Sequence, residues 1–145
     1  MKRNTHVLAA VAGLLVTLSV PMCAQRIRLK ADIPFEFMVN GKVMPAGTYR
    51  IEEQPGDSGR RNVVAVIDEA RRRTAVFLTQ PETSVNVQDQ ARLLFTHYGS
   101  RYFLSQIWDM GSNEGLRVLQ SRAERELVAG ARASGEQRLV ILARR

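Results

Sequence analysis

Three adjacent arginines, Arg71-Arg72-Arg73, form the densest run of positive charge in the sequence. Guanidinium forks match phosphate, sulfate and carboxylate groups, so this run is a first candidate for holding an anionic partner. Its plain alternative is a solvated turn whose charges keep a sheet edge from aggregating. Tyr98, Arg101 and Phe103 form a second candidate, an aromatic face that could stack sugars if nothing covers it. Two pairs of carboxylates invite a glycosidase reading, because that chemistry needs two acids flanking one bond. Glu52 and Glu53 cannot serve, since neighbours on a strand point to opposite faces. Asp109 and Glu114 flank a polar loop, where acids are normally solvated.

Gly56-Asp57-Ser58-Gly59 would suit a serine nucleophile, which needs a histidine base and an orienting acid. Of the two histidines, His6 falls in a segment expected to be removed. His97 is expected beside Tyr102 at the rim of an apolar core, with one hydrogen bond rather than a catalytic role. Gly, Asp and Ser are also turn residues, and a loop accounts for the motif. A zinc site needs three or four His, Cys or carboxylate ligands, and a calcium loop needs oxygen ligands at alternate positions. The sequence offers neither pattern, so no catalytic residue, metal or cofactor is expected.

The N-terminus carries its own information. Lys2 and Arg3 precede an uncharged run at residues 7–20, then Pro21, Met22, Cys23 and Ala24. As a helix that run spans roughly 21 Å, short for a bilayer core of about 30 Å. A basic start, a short apolar core and a small-residue exit mark a secretory signal, so residues 1–24 are expected to be cleaved near Ala24. The domain at 25–145 then lacks cysteine, which fits an oxidising compartment entered without need of a disulfide. The whole chain of 145 residues has net charge +7, and removing the leader leaves +5. A basic domain suggests nucleic acid, but export redirects that charge toward an anionic envelope polymer or lipid surface.

The remainder reads as mainly β. Residues 28–33 alternate, with Leu29, Ala31 and Ile33 on one side; Phe35, Phe37 and Val39 continue the period. Asn40-Gly41 is a tight-hairpin signal. Residues 48–52, 63–67 and 74–79 are further strands, the last two a hairpin, and a short irregular strand is expected around Val85 and Val87. Gly99-Ser100 suits a two-residue turn, which sets Tyr98 opposite Arg101, His97 opposite Tyr102, Phe95 opposite Leu104 and Ala91 opposite Trp108. That register places Trp108 on the core face and Ile107 on a mixed outer face with Tyr98, Thr96, Phe103 and Leu94. Ser121 and Glu124 form a capping box, opening a helix over about 122–129 with Ala123 and Leu127 inward and Gly130 as its stop. A final strand at 137–143 would complete a right-handed crossover. The expected architecture is a small antiparallel β-sandwich or partly open β-barrel with one short C-terminal helix and a final strand.

Ile33-Pro34-Phe35-Glu36-Phe37, Pro45-Ala46-Gly47-Thr48-Tyr49-Arg50-Ile51, Tyr98-Gly99-Ser100-Arg101-Tyr102-Phe103-Leu104 and Ser121-Arg122-Ala123-Glu124-Arg125-Glu126-Leu127 together resemble a family of uncharacterised short exported β-rich proteins of soil Gram-negative bacteria. The resemblance spans most of the chain after the leader. It implies export and a compact β-rich domain, and it supplies no site residue. The expectation is a non-enzymatic exported domain that binds an anionic or polysaccharide partner. Its alternatives are a small periplasmic hydrolase using carboxylates and a subunit that completes its sheet with a partner strand.

Overall fold

The computed structural model describes residues 26–54, 62–131 and 137–145. The expected leader with Cys23 and the Gly-Asp-Ser-Gly loop lie outside the described residues. Within them the elements are β1 (Arg28–Ile33), β2 (Phe37–Val39), β3 (Lys42–Met44), β4 (Gly47–Gln54), β5 (Asn62–Asp68), β6 (Thr74–Thr83), β7 (Arg92–Tyr98), β8 (Arg101–Trp108), β9 (Glu114–Val118), α1 (Arg122–Ala131) and β10 (Gln137–Leu142).

Period-two patterning explains most of these strands. In β1, Leu29, Ala31 and Ile33 are buried while Arg28 and Asp32 are exposed. Pro34 cannot donate to a ladder, and β1 ends before it. Asn40 and Gly41 take φ of 48° and 74°, the left-handed pair that lets β2 and β3 fold back on each other.

All the strands belong to one sheet, whose path runs β1-β4-β5-β6-β9-β8. β8 continues through β7 to β10 along one of its edges. Its other edge is shared. Gln106, Ile107 and Trp108 pair with β9, while Tyr102 and Phe103 pair with β2 in parallel. The sheet curls until the segment after β10 meets β1, where Lys30 and Arg144 exchange backbone hydrogen bonds of 2.7 and 2.9 Å. One bridge is not a strand pairing, so the sheet stays open, as a partly open barrel.

The concave side holds the core. Phe37 meets Tyr49 and Phe95 edge-on, with ring centroids 5.1 and 5.4 Å apart. Each large apolar side chain buried there contributes roughly 1.5–3 kcal/mol. The Tyr49 hydroxyl donates to the Pro45 carbonyl, tying the β3–β4 turn to the core. Burial pushes the Tyr49 hydroxyl up to about 12, and the nearby Asp68 charge adds to the effect.

Three expectations need correction. The β7–β8 register holds from the turn to Phe95 opposite Leu104, then shifts. Leu94 pairs with Gln106, leaving Ser105 as the extra residue of a bulge, and a bulge inverts the facing of the residues beyond it. Ile107 therefore lies in the core opposite Leu93, and Trp108 opposes Arg92, not Ala91, on the outer face. The second correction concerns the crossover. β10 pairs antiparallel with β7 and stands three strands from β9, so β9, α1 and β10 form no parallel unit. Third, β6 runs on to Thr83, and Val85 and Val87 lie exposed in the following loop rather than in a strand.

Candidate functional site

The outer faces of β7, β8 and β9 turn toward α1, and the helix roofs them without filling the space. A hollow of about 660 Å³ remains. Leu94, Thr96, Tyr98, Ser105 and Gln106 form its floor. The bulge turns Ser105 and Gln106 outward together, and the Ser105 hydroxyl donates to the Leu94 carbonyl at 2.9 Å. Trp108 lies across Gly115, where any Cβ would come within 2.5 Å of the indole, and its Nε1–H reaches the Gln106 side chain at 3.1 Å.

The capping box holds the roof in place. The Glu124 N–H donates to Ser121 Oγ at 3.2 Å, and the Ser121 N–H donates back to the Glu124 carboxylate. The helix extends to Ala131, passing through Gly130 instead of stopping there. Ala123 is exposed, and the inward residue of the first turn is Glu124, 6% exposed. Glu124, Leu127 and Val128 follow the i, i+3, i+4 spacing of one helix face, a signal already present in the sequence. Burial raises the Glu124 carboxyl to about 7, opposed by the hydrogen bond from Ser121. This acid is the site residue that motif reading passes over, because the capping box alone accounts for its place in the sequence.

Cations surround the hollow. Arg117, Arg125 and Arg138 line it. Arg117 pairs with Glu82 at 2.6 Å, whereas Arg125 makes no ion pair among the described residues. Glu124 is the one carboxyl in the lining among the described residues.

The sequence candidates are dispersed. Arg71 is a clasp: its guanidinium meets Asp68 at 3.2 Å and the Ala46 carbonyl at 3.4 Å. Asp68 is fully buried, and hydrogen bonds from the Arg71 and Ala70 N–H groups, with the Arg71 guanidinium, hold its carboxyl below the usual range. Arg72 and Arg73 are exposed. Tyr98 lines the hollow and Phe103 is buried beside it, ring centroids 5.9 Å apart. Arg101 instead borders a smaller hollow of about 340 Å³ with Phe35, Met38 and Tyr102. The face of Tyr98, Arg101 and Phe103 is thus divided between two places. His97 stacks on Tyr102 at 4.3 Å. Glu52 pairs with Arg50, and Glu53 accepts the Ile27 N–H. Asp109 is buried against Arg145, while Glu114 is exposed.

No protein-family description matches the chain, and no curated protein or solved structure matches it either. Among the described residues no three His, Cys, Asp or Glu side chains form a metal-holding group. No helix among them is long and apolar enough to cross a membrane.

Proposed function

We propose that this chain is an exported, non-enzymatic binding domain that takes an anionic partner of the envelope or its surroundings in the hollow beneath α1. One observation carries the reading: three arginines and a single carboxyl line that hollow among the described residues, and the carboxyl is buried enough to be half neutral near pH 7. Guanidinium groups facing a ligand across a sheltered space favour carboxylate, phosphate or sulfate. Among the described residues the lining supplies one acid, and two-carboxylate hydrolysis needs a pair. Net charge of +5 after removal of the leader adds long-range attraction for such partners. Export rests on the leader and on the family resemblance. The test is calorimetric titration with polygalacturonate, with neutral dextran as control. Binding should be lost at high salt, since screening shortens to about 3 Å at 1 M. Arg125→Gln should weaken it; equal binding by wild type and Arg125→Gln overturns the reading.

A second reading, a sheet-completing subunit, is favoured by β10. Val140 and Leu142 are 47% and 60% exposed, and their backbone groups point away from β7. A partner strand added there would be blocked by Val140→Pro, as read by the oligomeric state in solution.

A further inference from the structure

The floor of the hollow beneath α1 leads along β7 to a second hollow. Thr96 and Leu94 are outward residues of β7 that line the first, and the next outward residue, Arg92, lines the second. β10 makes the same passage beside them. Arg138 pairs with Thr96 and lines the first hollow; Val140 pairs with Leu94, Leu142 pairs with Arg92, and both line the second. Cross-strand partners share a face, so the two hollows are neighbours on one surface. Trp108 joins them again: it opposes Arg92, and its Nε1–H reaches Gln106 in the first hollow. Thr96 and Arg92 stand four residues apart on β7, roughly 14 Å along an extended strand.

The second hollow, of about 450 Å³, differs in character from the first. Ser84, Asn86, Gln88, Asp89 and Gln90 line it with hydroxyl, amide and carboxylate groups, beside the exposed side chains of Val140 and Leu142. Its one cation among the described residues is the half-buried Arg92. Arg92 makes no ion pair among those residues, and its buried Nε has no hydrogen-bond partner. A guanidinium left this open can take acceptors from a ligand. Amides both donate and accept, as a hydroxyl-rich ligand requires. Apolar lining with a few such polar groups is the usual make-up of a ligand site.

We propose that the ligand is a linear acidic oligosaccharide, with one carboxylate beside Arg125 and Arg138 in the hollow beneath α1 and a later carboxylate beside Arg92. This rests on the anion-binding reading of that hollow and names its ligand class. Charge and hydrogen bonding together select the occupant. An acidic peptide would match the arginines and bring few hydroxyl groups to the amides around Arg92; a neutral glycan would do the reverse. A uronate chain carries hydroxyl groups and a carboxylate on every unit.

The full chain after the leader is titrated by calorimetry with digalacturonate, too short to span both hollows, and with hexagalacturonate. The hexamer should bind about a hundredfold more tightly, the gain expected when a second contact becomes intramolecular. Arg92→Gln should remove most of that gain and leave digalacturonate affinity unchanged, which also shows that the first hollow is intact. Asn86→Asp, at an exposed position, should reduce the gain by placing a like charge beside the bound chain. Arg125→Gln should weaken both ligands by a common factor. An equal gain in wild type, Arg92→Gln and Asn86→Asp overturns the second subsite and leaves anion binding beneath α1 standing. Hexaglutamate binding as tightly as hexagalacturonate overturns the saccharide. Binding of neither galacturonate overturns the proposal together with the reading on which it rests.

Discussion

Within the β7–β8 hairpin, alternate residues of the same two strands meet different fates. Leu93, Phe95, Leu104 and Ile107 face inward, none more than 2% exposed, and the chain completes their surroundings by itself. Leu94, Thr96, Tyr98, Ser105 and Gln106 face outward around a space that one ten-residue helix roofs and does not fill. The inward face has the density of a core, where a lost methylene is felt. The outward face keeps polar groups and cations next to apolar floor, which suits a ligand more than a core. On the proposed reading, stability and binding lie on opposite sides of one sheet, and substitutions should separate them.

The strongest way to break that contrast is Leu104→Ala. It should cost about 2–5 kcal/mol in urea unfolding, as for other buried large-to-small changes. A loss under about 0.5 kcal/mol, the scale of a surface change, would mean that the faces are inverted. Gly115→Ala comes next. Its new Cβ would stand 2.5 Å from the Trp108 ring and 2.8 Å from the Ile107 carbonyl, so overpacking of about 1–3 kcal/mol is expected. Wild-type stability in that variant would show that the indole does not cross β9.

Ser121→Ala should cost about 0.5–2 kcal/mol by removing the cap. Its partner sharpens the contrast through pH. The folded Glu124 carboxyl holds its proton up to about 7, against an ordinary 4.5. The folded state therefore binds more protons than the unfolded chain in this window. The resulting stability is fully present below about 4.5 and is lost as pH rises through about 7. Melting curves of Glu124→Gln should lack this decline; an identical pH profile in wild type and variant would place the carboxyl in water. The smallest effect is expected at the arginine turn. Arg72→Gln and Arg73→Gln should each stay within about 0.5 kcal/mol of wild type. Arg71→Gln should melt measurably lower, because the buried Asp68 loses its cation. Equal melting of all three variants would remove the clasp.

Most of the β-architecture was legible because its signals are local. Asn40-Gly41 and Gly99-Ser100 fix turns, and the alternation of residues 28–33 and 48–52 fixes which side is inward. The bulge was missed although the sequence marks it. After Leu104, strict alternation would put Gln106 in the core, yet the next inward-facing apolar residue is Ile107. The lapse of period two is the bulge. The Arg71 clasp was illegible for a different reason: charge density is visible along a sequence, but its buried partner Asp68 becomes visible only when the turn closes.

The Lys30–Arg144 bridge has a kinetic consequence. β5 and β6 find each other across a short turn, whereas this bridge unites segments from far-separated parts of the chain. Contacts of that kind pay loop-closure entropy before they are rewarded and so form late. A contact that forms late, with two hydrogen bonds and few neighbours, is also among the first to open by local unfolding. In amide hydrogen exchange, Lys30 and Arg144 should lose protection well before Ile51 or Val66, so the molecule should breathe along the join between β1 and β10 while the rest of the sheet stays shut.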